Sequence, residues 1–396
     1  MITVRTPHRI FLFLFFVVLS ISARAKIRSN LSDNSRISLI TCSSGNELYS
    51  VFGHSAIRVT DPQKNLDIVF NYGTFSFEQP NFYPNFVRGH LKYILSAYPF
   101  KDFYQEYVNE KRWVWEQELN ISLSERQLLF NSLLINYRPE NRAYRYDFFN
   151  DNCATRIRDI FVKGIPRRIE FDYSSFEQGQ SFRQLLMPNL GNSPWAKLGI
   201  NLLLGFPADR VASPWDYMYL PEHLKAAFEH ASFSSDSAKQ PFASQTKVLL
   251  NGESSSNTFI WGSPLQLLLV VLMIAIYITY RDIKGGVKNL WLDRTLLILA
   301  GLLGVLFTFL WIGTAHKSMV WNLNLLWANP LHLIAAFFVS LKKPRKWVDA
   351  YLRVNLIVLL LVLILWPFLP QTLPWAIYPL VLALALRMFV ITQFRK

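Results

Sequence analysis

The sequence predicts an α+β domain outside the cytoplasm, followed by an all-α bundle of about five transmembrane helices. Three observations carry this. Long apolar runs are confined to the N-terminus and to the stretch after residue 258. The intervening chain mixes β-like runs with amphipathic helical ones and reads as ordinary globular sequence. Basic residues gather in alternate loops of the apolar C-terminal part.

Taken in order, residues 1–25, "MITVRTPHRIFLFLFFVVLSISARA", place Arg5 and Arg9 before a short apolar core, Ile10 to Ile21. Ala23-Arg24-Ala25 supplies a small-x-small cleavage site, so the segment reads as a secretory signal peptide. Residues 26–232 are expected to form one soluble domain. "RISLITC" (36–42) is a strand candidate. "SAIRVTD" (55–61) and "LDIVFNYG" (66–73) flank "PQKN" as a hairpin, and "RWVWEQELNI" (112–121) is a further strand. Ser122 followed by Glu125 makes a capping box. It opens a helix expected to bury Leu128, Leu129, Leu133 and Leu134. "AYRYDFF" (143–149) is read as a strand and "NDN" as a turn. "ATRIRDIFVKG" is read as a helix burying Ile157, Ile160 and Phe161 and ending at Gly164. "SPWDYMYLPEHLKAAFEHASF" supplies a last helix. Residues 233–258 are rich in Ser, Asn and Gln, as a flexible tether would be.

Within 259–396, spans are expected at 259–280, 290–312, 328–341, 354–369 and 375–393. Arg281, Lys284 and Lys288 follow the first; Lys342, Lys343, Arg345, Lys346 and Arg353 follow the third; Arg395 and Lys396 end the chain. The alternate connections hold only Lys317. Positive residues mark the cytoplasmic side, which puts the C-terminus there and the soluble domain outside. These cations make up much of the formal +14. The charge therefore reports membrane orientation, and no nucleic-acid motif or partner is indicated.

The chemistry centres on "YRYDFFNDNCATRIRDIF" (144–161). Cys153 is one of only two cysteines, with Cys42. It falls at the first turn of a helix, where the partial positive charge favours a thiolate nucleophile. The competing reading is a Cys42–Cys153 disulfide in an exported scaffold. A thiolate needs a base. Among seven histidines, His54 in "YSVFGHSAIRV" stands at the head of a β-run, where it can face a helix start.

A glycine-histidine opening a hairpin, and an "NC" starting a helix about a hundred residues on, resemble the circularly permuted papain-like (NlpC-type) superfamily. More closely, "TCSSGNELYSVFGHSAIRV", "FNDNCATRIRD" and "WNLNLLWANPLHL" resemble the Lnb-type family of bacterial envelope proteins, from about residue 36 to the end. The resemblance implies a papain-like periplasmic domain on a helical inner-membrane domain. It implies an acyltransferase that moves an acyl chain from a phospholipid to the N-terminal amine of a diacylated lipoprotein, with no cofactor. Cys153 matches the nucleophile, His54 the base, and Asn71 in "VFNYG" the residue that orients the imidazole. Tyr49 and Asn152 are the candidates for oxyanion or substrate contacts, beside the backbone N–H groups at Cys153. The orientation puts His316, Trp321, Asn322, Asn324, Trp327, Asn329 and His332 at the outer face of the bilayer, as a floor or lipid-access groove. Two histidines without a third ligand make no metal site. A peptidoglycan amidase or endopeptidase would use the same Cys-His pair on a polar substrate.

Overall fold

The structure, a computed structural model, describes residues 30–47, 49–191, 193–234, 239–253, 262–286, 290–339 and 345–394. The expected signal peptide lies outside the described residues.

Alternating apolar residues build a seven-stranded antiparallel sheet. Its strands are β1 (Arg36–Cys42), β2 (His54–Asp61), β3 (Leu66–Thr74), β4 (Lys92–Pro99), β5 (Val114–Glu118), β6 (Ala143–Arg145) and, after the short strands β7 (Ile169–Glu170), β8 (Ser232–Phe233) and β9 (Gln240–Pro241), β10 (Lys247–Leu250). The order is β10-β5-β1-β2-β3-β4-β6, and β7, β8 and β9 form a small second sheet. The expected hairpin is present, with Ile57 opposite Phe70 and Val59 opposite Ile68. Cys42, ending β1, stands opposite His54, which begins β2.

Helices cover both faces. After α1 (Phe82–Val87) comes α2 (Phe100–Asn109), whose Phe100, Phe103 and Tyr107 close a small core with Ile40, Cys42, Ala56 and Val69. The larger core lies on the other face, because strand alternation sends Ile37, Leu39, Ile57 and Phe70 there. It is covered by α3 (Leu123–Tyr137) and α4 (Cys153–Gly164). The Ser122–Glu125 capping box is formed. On α3, Leu128 is 47% exposed and Phe130 fills the core in its place. The expected strand 143–149 stops at Arg145, because Asp147 and Asp151 bond each other's backbone and fold the chain into a tight loop. Beyond it come α5 (Pro194–Leu203) and α6 (Pro221–Glu229). Prolines at 214 and 221 divide the expected last helix into two pieces, Pro214–Tyr217 and α6.

The expected tether is in part a structural element. β10 pairs with β5 and edges the main sheet, so the sheet domain runs to Leu250 rather than ending at 232.

The C-terminal part holds α7 (Pro264–Gly285), α8 (Trp291–Ile312), α9 (His332–Phe338), α10 (Lys346–Leu365) and α11 (Tyr378–Phe394). Among the described residues four helices are long and apolar enough to cross a membrane. The expected third span, 328–341, is realised differently. α9 has seven residues and rises about 10 Å. The chain before it, from His316 to Leu331, holds only single 3-10 turns and lies along α8. Gly304 lets this backbone approach. A β-carbon there would collide with the Ala328 carbonyl and the Pro330 nitrogen.

Candidate active site

Two local features deliver the reactive residues to one end of the sheet. Gly53 adopts φ +76°, and a β-carbon there would lie 2.8 Å from the Cys42 carbonyl. Only glycine suits such a turn, and it sets His54 at the first position of β2. Asn152 caps α4. Its side-chain oxygen accepts from Thr155 N–H at 2.9 Å, and Thr155 Oγ1 accepts from Asn152 N–H at 2.8 Å. Its amide also donates to the carbonyls of Phe148 and Tyr219, each at 2.8 Å. Cys153 thus begins α4 in a fixed place, 6% exposed.

The structure brings Cys153, His54 and Asn71 together. The Cys153 sulfur and the His54 ring interact electrostatically. The ring's Nε2 meets Asn71 Oδ1 at 2.6 Å, leaving Nδ1 as the nitrogen for sulfur. Asn71 Nδ2 donates to the Tyr98 hydroxyl at 3.0 Å. Tyr98 therefore holds Asn71, Asn71 holds His54, and His54 faces the thiol. Burial opposes a thiolate at Cys153, but the attraction of His54 outweighs it, aided by the N–H groups of Ser55 and Ala154. The thiol is held below its ordinary value. Burial likewise opposes charge on His54, yet the facing sulfur and Asn71 raise the imidazole above its ordinary value. The two shifts share one cause, the attraction between sulfur and imidazole, and both favour a thiolate–imidazolium pair.

Cys42 differs. Both cysteines are free thiols, so the disulfide reading is corrected. Cys42 packs in the small core under α2 and Cys153 in the large core under α4, on opposite faces of the sheet. Burial pushes the Cys42 thiol up to about 12, where it is inert.

Beside the pair lies a cavity of about 280 Å³ between the sheet domain and the membrane part. Phe52, Leu91, Tyr93, Tyr146, Phe148, Leu186, Ile200 and Leu204 line it from one side and Ala315 to Met319 from the other. Tyr146 stacks on Tyr93 with centroids 4.5 Å apart. Its ring edge and Cys153 Cβ lie 3.7 and 3.8 Å from the point a β-carbon on Gly73 would occupy. Tyr146 is thus a wall shared by the cavity and the thiol.

The remaining expected residues divide. His316 lines the cavity, with its Nε2 3.3 and 3.2 Å from the carbonyls of Phe86 and Val87. Asn322 and Asn324 point elsewhere. Their amides donate to the Leu202 carbonyl at 2.7 and 3.1 Å, capping α5 onto the membrane part. Trp327 donates to Asn324, His332 meets Tyr351 at 2.7 Å, and Asn329 accepts from Leu331 N–H, all away from Cys153. Trp321 is 61% exposed and packs on Trp311. Tyr49 sits in a turn, 63% exposed, which does not place it over the thiol. Asn152 spends its hydrogen bonds on the cap rather than on a ligand. Sequence reasoning missed Tyr98, Tyr144 and Tyr146, since a tyrosine in a β-run carries no signal beyond packing.

The fold and site define a membrane-anchored protein with a cysteine–histidine–asparagine constellation on an antiparallel sheet. Residues 23–179 match the family model for the Lnb N-terminal periplasmic domain, and residues 254–396 match that for the Lnb transmembrane domain. The chain belongs to the Lnb family and is a membrane protein with a periplasmic domain. Neither the curated proteins nor the solved structures gave a significant match.

Proposed function

We propose that this protein is an inner-membrane lipoprotein N-acyltransferase that works through a thioester on Cys153. The observation that carries this reading is the wall formed by Tyr146. The Cys153–His54 pair lies behind Tyr146, whose ring also lines an apolar cavity closed on its far side by the segment joining α8 to α9 in the membrane part. That is the environment of a lipid chain rather than of a sugar-peptide, which disfavours the amidase alternative. The sheet order, with the cysteine helix laid on strands that carry the histidine and its polar partner, supports a permuted papain-like domain.

In this mechanism the Cys153 thiolate attacks the carbonyl carbon of a phospholipid ester. The carbonyl electron pair moves to oxygen, and collapse of the tetrahedral oxyanion breaks the bond to the glycerol oxygen. His54 imidazolium gives its proton to that oxygen, leaving a lysophospholipid and an acyl-thioester. The N-terminal amine of a diacylated lipoprotein then attacks the thioester. Neutral His54 takes the amine proton and the thiolate leaves. The starting ion pair is restored. Both substrates are held in one leaflet, which raises their effective concentration. The cytoplasmic C-terminus read from the loop charges fits this arrangement.

The test is intact-mass analysis of lipoproteins from cells that rely on this enzyme and carry Cys153→Ala. The reading expects diacylated lipoproteins to accumulate. Persistence of the N-acyl chain would refute it.

A further inference from the structure

Tyr144 is buried, 8% exposed, and its hydroxyl has no hydrogen-bond partner. A buried hydroxyl without a partner is costly and asks for an explanation. Its position is specific. The hydroxyl lies 3.9 Å from the point where a β-carbon on Gly73 would sit, and Cys153 Cβ lies 3.8 Å from the same point. The absent side chain of Gly73 therefore leaves a small space bounded by the nucleophile and by this hydroxyl. The ring is fixed from behind. The Arg156 guanidinium lies over it, 3.6 Å from its centroid, and is itself held by Asp151 through hydrogen bonds of 2.5 and 2.8 Å.

A second donor is available on the nucleophile itself. The first turn of a helix leaves its N–H groups unpaired. In α4 the Thr155 N–H goes to the Asn152 side chain and the Ala154 N–H to the Cys153 sulfur. The N–H of Cys153 is the remaining donor of this first turn.

We propose that the Tyr144 hydroxyl and the Cys153 N–H form the oxyanion hole of this enzyme. The inference rests on the acyl-transfer reading above and assigns to Tyr144 the role that the sequence suggested for Tyr49. When sulfur bonds the carbonyl carbon, the π pair moves onto oxygen and that oxyanion accepts from Tyr144 O–H and Cys153 N–H. On collapse the pair returns to the carbonyl and the bond to the leaving oxygen breaks. Tyr144 keeps its proton throughout, as burial holds its phenol well above the ordinary range.

The test uses the full chain in phospholipid–detergent micelles and two reactions of the same sulfur. A medium-chain p-nitrophenyl ester acylates Cys153 through a tetrahedral oxyanion, read as the nitrophenolate burst and the acyl-enzyme mass. Iodoacetamide alkylates Cys153 by displacement, with no oxyanion. Tyr144→Phe is expected to slow the burst by roughly 10²-fold, with alkylation rate and its pH profile unchanged. The melting temperature stays level or rises, because an unpaired polar group has been removed. An unchanged burst would overturn the assignment. A parallel fall in both reactions would overturn it too, since that marks a role in placing the thiolate or in folding. A wild-type protein that is alkylated but never acylated would sink the acyl-transfer reading as well. Wild-type acylation matched by Tyr144→Phe would sink this inference alone.

Discussion

The His54 ring meets Asn71 through Nε2 and interacts with the Cys153 sulfur. That arrangement fixes the tautomer and the ring plane, so Asn71 acts by positioning. Asn71→Ala is expected to cut the acylation rate by about 10²-fold through loss of orientation, measured as the rate of acyl-enzyme formation. The thiolate prediction concerns pH. Only the deprotonated sulfur is alkylated, and His54 holds the Cys153 thiol below its ordinary value against the opposing effect of burial. Alkylation should therefore rise through an inflection below that of an ordinary thiol, measured by mass against pH. His54→Ala should move that inflection upward, because burial then acts with its main opponent gone. Cys42, pushed up to about 12, should stay unlabelled across the same range. Cys153 and His54 were legible because each has a readable neighbour, an N-capping asparagine and a glycine turn. Tyr144 and Tyr98 were not. Their meaning depends on which hydroxyl has a partner, and sequence does not display that.

The helix start is the element on which the site depends. Asn152 makes four hydrogen bonds that join α4 to the preceding loop and to Tyr219 on the chain leading into α6. Asn152→Ala removes the side-chain cap and both amide donors. It should destabilise the sheet domain by about 2 kcal/mol, the upper end for an N-cap, measured by thermal unfolding. The Ser122 box was readable as Ser-x-x-Glu, whereas the Asn152 box uses Thr155 and lacks that signature. β10 was missed for a different reason. A four-residue edge strand with one partner needs no alternating pattern, and its Ser- and Asn-rich flanks resemble a tether.

The whole molecule is joined at two buried polar sites. One is the end of α5, where Leu202, Leu203 and Leu204 offer carbonyls to Asn322, Asn324 and Gln371 from the membrane part and to Arg183 from the sheet domain. The other lies inside the helical bundle. Arg387 of α11 reaches Asp293 of α8 and Asp282 of α7, each at 2.7 Å, and Thr279 at 3.0 Å. Arg387→Leu leaves two carboxylates buried without their cation. The loss should be about 3–5 kcal/mol, read as a lower melting temperature in detergent. Hydropathy found the four long helices because each is apolar over its length. The expected third span differs from these, because Asn322, Asn324 and Pro330 break the chain ahead of the short helix α9. Irregular backbone survives at that depth only when protein surrounds it.

The most direct measurement places the full chain in vesicles of a single phospholipid and follows the mass of the protein. The account predicts one acyl group on Cys153, released by neutral hydroxylamine, formed together with an equal amount of lysophospholipid, and lost when a diacylated lipopeptide with a free amine is added. A Cys153 that reacts with iodoacetamide but never carries an acyl group from the lipid would contradict it.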